Sequence, residues 1–576
     1  MKRIFSYLSP YKARIALGLF FKIAGTVAEL VLPLIMSYMI DDVVPTGDIL
    51  ALSLWGGGML LAAVVALLGN VKANRMASRV ARDTTERLRA DLFCKTLSLS
   101  ARQADEVTIP SLVSRLSSDT YNVHNMIGMM QRLGVRAPIL LVGGVTLTFI
   151  VDPVLALVLL AVVPVITLIV VLVTRRGVSL YTRLQRSADG MVRKVRDDYS
   201  GIRVIKALSK GGYESASFRA VNEEVSRCET KANVTMGVTN PLLNAVLNLG
   251  MAAVIFIGAY RVADGRAMAG DIIAFTSYFS IILNAVISVG RIFVNMTKGS
   301  ASARRIDGVL SLPAELAPLP DGAAERDENE TIRFERVSFS YGGVPALEDV
   351  SFSLGKGESL GIIGATGSGK STLIALLLRF YDPSAGRVFL FGKDIRRYGN
   401  AELRKKFGVV FQSDFLMAAS VRENIDFGRG LSDEAIVRAA EYAHADAFIR
   451  AHEGYDGALT ARGANYSGGQ KQRLLIARAL AAEPEILVLD DSSSALDYRT
   501  DAALRKSVLT RLRGTSVVMI AQRISSVRFA DKILVLEGGR VAGFGSDEEL
   551  MRICAVYRNI YASQHGGEGG EHACDQ

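Results

Sequence analysis

Six stretches of about 20 mostly apolar residues constrain this chain more than anything else in its sequence. A bilayer's hydrocarbon core is about 30 Å thick, a distance that an α-helix crosses in roughly 20 residues, so each stretch is long enough to span it. They lie near residues 15–40, 50–70, 133–151, 154–174, 242–262 and 272–294. Only Asp152 and Pro153 separate the third from the fourth, which leaves room for nothing but a tight hairpin. Residues 72–132 carry ten Lys/Arg and 175–231 carry thirteen, whereas 41–49 has none and 263–271 only Arg266. Positive charge concentrates on the cytoplasmic side of membrane proteins, so both long intervals and both termini are expected there. The long intervals are rich in helix formers and should extend the membrane helices into the cytoplasm, each turned back at a short connecting helix. Residues 1–11 read as a short amphipathic helix at the interface, with Ile4, Phe5 and Leu8 available to lipid.

The formal charge of +10 is uneven. Residues 1–310 hold 35 Lys/Arg against 21 Asp/Glu, and residues 311–576 hold 32 against 36. Because the basic excess sits between apolar stretches, it argues for a membrane and against nucleic acid as the partner. Cys94, Cys228, Cys554 and Cys574 show no paired spacing, which argues against a disulfide framework or a zinc site. The domains expected are a transmembrane domain at 1–310, a Pro-rich acidic linker at 311–330, an α/β domain at 331–565, and a disordered Gly-rich tail at 566–576. Within the third, 332–334, 337–339, 360–363, 486–489, 517–520 and 533–536 read as strands alternating with helices.

Residues 364–371, GATGSGKS, match the phosphate-binding loop pattern, follow an apolar strand and precede a helical run at 373–380. Gly364, Gly367 and Gly369 let the backbone wrap phosphates, while Thr366, Ser368 and Thr372 belong to the same cradle. The helix N-terminus adds partial positive charge. Lys370 is placed to reach the terminal phosphates and Ser371 to ligate Mg²⁺. Asp490, ending an apolar strand, is a second Mg²⁺ ligand.

The run YSGGQKQR at 466–473 is more specific still. With the phosphate loop it resembles the ATP-binding cassette family, and the six spans resemble its exporter-type branch, over nearly the whole chain. The resemblance implies an all-α six-helix transmembrane domain of exporter type, followed by an α/β P-loop nucleotide-binding domain that uses ATP and Mg²⁺. It also assigns roles to single residues. Tyr341 stacks on adenine, Gln412 touches Mg²⁺ and the attacking water, and residues 494–497 signal to the opposite site. Ser467, Gly468, Gly469 and Gln470 act across a dimer on the partner's nucleotide. Residues 111–119 and 201–216 resemble the two cytoplasmic coupling segments.

Two positions depart from the family pattern. Asp491 stands where Glu is usual after the strand-ending Asp, which pulls the carboxylate back by about 1 Å, a displacement that can cost on the order of 10²-fold in rate. Gln522 replaces the usual His, and an amide can donate to a phosphate but cannot become a cation or relay a proton. Together they imply a site that binds ATP but turns it over poorly, as in heterodimeric bacterial multidrug-type exporters. The signature remains intact for the partner's site. A self-sufficient homodimer and an importer built on the exporter fold are the alternatives. The cargo expected is a multidrug, lipid or other amphipathic molecule, the location a bacterial plasma membrane. Polar residues within the spans, namely Glu29, Asn284 and the Asn240/Asn244/Asn248 stripe, either line the cargo path or join helices.

Overall fold

A computed structural model describes residues 2–313, 316–320, 329–492, 496–512 and 514–565. The acidic part of the expected linker, the tail at 566–576 and residues 494 and 495 of the expected signalling loop at 494–497 therefore lie outside the described residues. The chain divides into two compact units, one of residues 1–97 and 107–312, the other of 98–106 and 313–576.

The first unit is helical and, among the described residues, holds six helices long and apolar enough to cross a membrane. Ile49–Leu97 has 49 residues and Pro153–Ser200 has 48. At 1.5 Å per residue each is about 70 Å long, more than twice the hydrocarbon thickness. The excess is the extension expected from the long polar intervals. Each is followed within this unit by a short helix, Ile109–Ser114 in one case and Ile202–Ala207 in the other. Thr120–Val151 and Pro153–Ser200 meet at Asp152, whose carboxylate caps the second helix by accepting from the Val154 and Leu155 N–H groups. Arg261 neutralises it at 2.9 Å.

Small residues set the helix crossings, as expected where apolar lipid gives helices little reason to associate by hydrophobicity alone. A Cβ on Gly25 would lie 3.0 Å from the Asn70 backbone nitrogen, and one on Gly69 3.0 Å from the Gly25 Cα. Leu140, Leu155, Phe275, Tyr278 and Phe279 fill the interior of the bundle, and the Tyr278 hydroxyl donates to the Leu30 carbonyl at 2.7 Å. Lys2–Leu8 is helical, but Ile4 is only 5% exposed while Phe5 is 55% exposed. Tyr7 also donates to Asp91 at 2.6 Å, so this helix packs on protein and offers less to lipid than its pattern suggested.

The second unit contains ten strands among its described residues. They are β1 (Glu330–Tyr341), β2 (Val344–Gly355), β3 (Ser359–Gly364), β4 (Ala385–Leu390), β5 (Lys393–Asp394), β6 (Phe407–Val410), β7 (Ile486–Asp490), β8 (Ser516–Ile520), β9 (Lys532–Glu537) and β10 (Arg540–Gly545). One sheet is antiparallel in the order β2-β1-β4-β5; the other runs β10-β9-β3-β8-β7-β6, parallel except for β10. The two strands expected at 332–334 and 337–339 are one strand with an irregularity, where Arg336 takes a positive φ of 46°. Every residue of β3, β7 and β8 is buried, which explains their unbroken apolar runs.

Candidate functional site

The candidate residues converge because of strand order. β3, β8, β7 and β6 are adjacent and parallel, so their C-terminal ends open on one edge, the place where open α/β sheets bind ligands. The phosphate loop follows β3, Gln522 comes two residues after β8, Asp490 ends β7 with Asp491 next, and Gln412 comes two residues after β6. Residues separated by more than 150 positions in sequence are thereby lined up side by side.

Sterics dictate the glycines of the loop. A Cβ on Gly364 would sit 2.2 Å from the Leu536 carbonyl oxygen, and one on Gly369 2.6 Å from Leu347 and 2.7 Å from the Ala346 oxygen. Gly367 and Gly369 have φ of 82° and 98°, a region that L side chains rarely enter. Gly369 so turned lets the helix begin at Lys370 and run to Leu377, earlier at both ends than its apolar run indicated. The Lys370 ammonium donates to the Gly364 and Ala365 carbonyls at 2.8 Å each. Burial holds its pKa below the ordinary lysine range, against the pull of Asp490 and Asp491. Asp490 is 5% exposed. Burial raises its carboxyl pKa and Asp491 raises it further, while a hydrogen bond from Ser371 and the charge of Lys370 oppose. A hydroxyl and a carboxylate at the mouth of a glycine cradle are the hard oxygen donors that Mg²⁺ selects, so the residues present fit a metal–nucleotide complex.

The two departures from the family pattern touch. Gln522 Nε2 donates to Asp491 Oδ2 at 3.2 Å. Asp491 occupies the left-handed region at φ 49°, which Asp tolerates better than most residues, and its own N–H continues the sheet to the Ile520 carbonyl at 3.0 Å. Gln412 is exposed.

Tyr341 is 42% exposed and sits edge-on to Phe339 at 4.8 Å and to Tyr381 at 5.4 Å. Sequence reading missed Tyr381 because no motif marks it. It also missed Asp105, which accepts the Tyr381 hydroxyl at 2.5 Å. Asp105 lies on Ala101–Val107, in the segment 98–106 that groups with the second unit. That segment ends just before the 111–119 stretch expected to serve as the coupling element.

The signature residues stand apart. Ser467 caps the helix Gly468–Leu480, its hydroxyl accepting from the Gln470 N–H at 3.3 Å and its N–H donating to Gln470 Oε1 at 2.9 Å. Gln470 is thus committed to the cap, while Ser467 and Gly468 remain exposed. No hydrogen bond or ion pair joins Ser467–Gln470 to the phosphate loop among the described residues. Tyr466 is 6% exposed, stacked on His452 at 5.3 Å and edge-on to Phe448 at 6.0 Å. Its aromatic ring therefore serves as core packing. Asp497 caps Tyr498–Arg511 by accepting from the Thr500 N–H.

Within the membrane unit Glu29 is paired: Arg136 donates to its two oxygens at 2.6 and 3.3 Å. Asn284 donates to the Ser280 carbonyl of its own helix at 2.9 Å. Asn240, Asn244 and Asn248 are all exposed.

A six-span helical unit followed by a cassette sheet with a glycine cradle, an aspartate-ended strand and a capped signature helix defines a membrane-embedded ATP-binding cassette half-transporter. Family comparison agrees at both ends of the chain. Residues 15–286 match the ABC transporter transmembrane region and residues 347–494 match the ABC transporter family. The chain is 33% identical over 575 residues to the ABC transporter ATP-binding protein YfiB of Bacillus subtilis, covering 99% of this chain and 100% of that one. It is 32% identical over 566 residues, 97% of each, to an ABC transporter ATP-binding protein of Mycobacterium tuberculosis. It shares its fold with a bacterial Atm1-family ABC exporter solved with ATP bound, at a TM-score of 0.82 and 24% identity over 98% of this chain and 99% of that one. This protein belongs to the ABC transporter family, as a multi-pass membrane half-transporter with an exporter-type fold.

Proposed function

We propose that the chain is the degenerate-site subunit of a heterodimeric exporter, binding ATP at its own phosphate loop and completing a partner's hydrolytic site with Ser467, Gly468 and Gly469. One observation carries this reading: the short Asp491 carboxylate and the Gln522 amide hydrogen-bond to each other where a longer base and an imidazole would be expected. Neither can stand in for its counterpart. Asp491 reaches less far, and an amide has no basic nitrogen to protonate. The binding residues are all retained: Gly364, Thr366, Gly367, Ser368, Gly369, Lys370, Ser371 and Thr372 around phosphates, and Tyr341 against adenine. Mg²⁺ would be held by Ser371, Asp490 and Gln412, and when bound it neutralises charge on the terminal phosphates. ATP-driven closure of two cassettes and turnover at the partner's site would then drive the cycle.

Exposure supports a partner and a path for cargo. Ile202, Val204, Leu208 and Tyr213 are large apolar side chains left exposed at the second helical turn-back, where a partner's cassette would cover them. Three exposed amides four residues apart on Thr239–Ala263 are costly against hydrocarbon, so we assign Asn240, Asn244 and Asn248 to a water-filled cargo path for a small amphipathic molecule or lipid. The Arg136 pairing takes Glu29 out of consideration as a free counter-charge for cationic cargo. The plasma membrane, with both termini in the cytoplasm, is the assigned location.

The test is phosphate release by the purified chain in nanodiscs, alone and with a co-expressed partner half. Turnover only with the partner, and its loss when the partner's catalytic glutamate is replaced, is the expected result. Robust turnover by the chain alone would sink the reading in favour of a self-sufficient homodimer.

A further inference from the structure

From the contacts around Gln522 we infer that Gln564, on the last described helix, is the positioning residue that aims the γ-phosphate-sensing Gln522. The loop between β8 and the short helix Ile524–Val527 is tied at its start by the sheet, the Ala521 N–H donating to the Ile362 carbonyl. Its far end is held by Gln564. Gln564 Nε2 donates to the Gln522 carbonyl and Gln564 Oε1 accepts from the Ile524 N–H, both at 2.8 Å. A carboxamide carries donor and acceptor in one plane, so it pairs with the loop backbone as a neighbouring strand would. It also satisfies the first N–H of a helix whose N-cap residue, Arg523, makes no side-chain cap.

The helix that carries Gln564, Ala555–His565, is itself fixed. Tyr557 is fully buried and its hydroxyl donates to Asp547 at 2.6 Å, while Val556, Ile560 and Tyr561 pack on the same core. Gln564 follows Val556 and Ile560 at four-residue spacing and so continues their face. Asn559, Ser563 and Gln564 share with Gln522 and the phosphate loop the walls of one cavity. The helix Ala555–His565 thus sets how far the Gln522 amide projects over the phosphates. This rests on Gln522 meeting the terminal phosphate and holds whether or not the site turns over.

Binding of fluorescent ATP and ADP with Mg²⁺ to the full-length chain in nanodiscs tests it, because only ATP carries the γ-phosphate. Gln564→Ala and Gln564→Glu, the second turning a donor into an acceptor facing a carbonyl, should each weaken ATP about 3- to 10-fold, as expected for losing one or two hydrogen bonds. ADP affinity should hold within about 2-fold. Exchange of the Ile524 amide should accelerate in both variants. Equal losses for ATP and ADP would mean a merely structural role, and unchanged ATP affinity would also overturn the inference. Gln522→Ala separates the two readings. If it spares ATP affinity, Gln522 does not sense the phosphate; if it weakens ATP while Gln564→Ala does not, only the positioning role fails.

Discussion

Asp491 and Gln522 carry the proposed asymmetry, and their direct contact means they should be repaired together. Asp491→Glu alone extends the carboxylate toward an amide; with Gln522→His it faces a group that can share a proton. The double variant should raise turnover at this site by on the order of 10² over the parent, the scale associated with a displacement of about 1 Å, with the single variants lower. Phosphate release with the partner's site silenced measures it. Asp490 gives a second prediction, with its sign set by burial. Its pKa is raised in the folded chain, so the fold favours its protonated form. That contribution is fully present below the unfolded pKa and is lost as pH rises through the folded one, which leaves ionised Asp490 a net cost at neutral pH. Asp490→Asn should therefore raise the melting temperature of the nucleotide-free protein at pH 7 while abolishing Mg²⁺-dependent nucleotide binding. In the unaltered chain, that Mg²⁺ dependence should weaken as pH falls, because protons compete for the same oxygens.

At the scale of elements, the signature helix shows how a motif can be legible while its packing is not. The run SGGQ at 467–470 marks the family signature, and the structure adds a capping box that starts its helix. Ser467→Ala should cost about 1 kcal/mol of stability in thermal unfolding, beyond any effect on the partner's site. Nothing in the sequence explains Tyr466, because His452 and Phe448 reach it through the packing of a separate helix and loop. Tyr466→Ala should cost about 3–5 kcal/mol as a buried aromatic truncation. Tyr381 and Asp105 are a similar case, 276 positions apart and joined by one hydrogen bond. Tyr381→Phe keeps the ring against Tyr341 but frees Asp105, so amide exchange across Ala101–Val107 should rise without loss of nucleotide binding.

For the molecule as a whole, the membrane unit depends on backbone approach at Gly25 and Gly69. Gly25→Val places a side chain about where the Asn70 backbone lies, and overpacking of this kind costs about 1–3 kcal/mol. A lower melting temperature in nanodiscs, with a normal nucleotide site, is the expected result. By itself the sequence determined the six spans, their helical extensions and the cradle glycines, because each follows from local periodicity, chain length or sterics within a few residues. Tertiary structure alone decided that Asp491 and Gln522 touch, that Gln564 holds the Gln522 loop, and that Glu29 is spent on Arg136. Those contacts arise from strand order and helix crossings that bring distant residues within 3 Å or so, and no local pattern encodes which distant residues will meet.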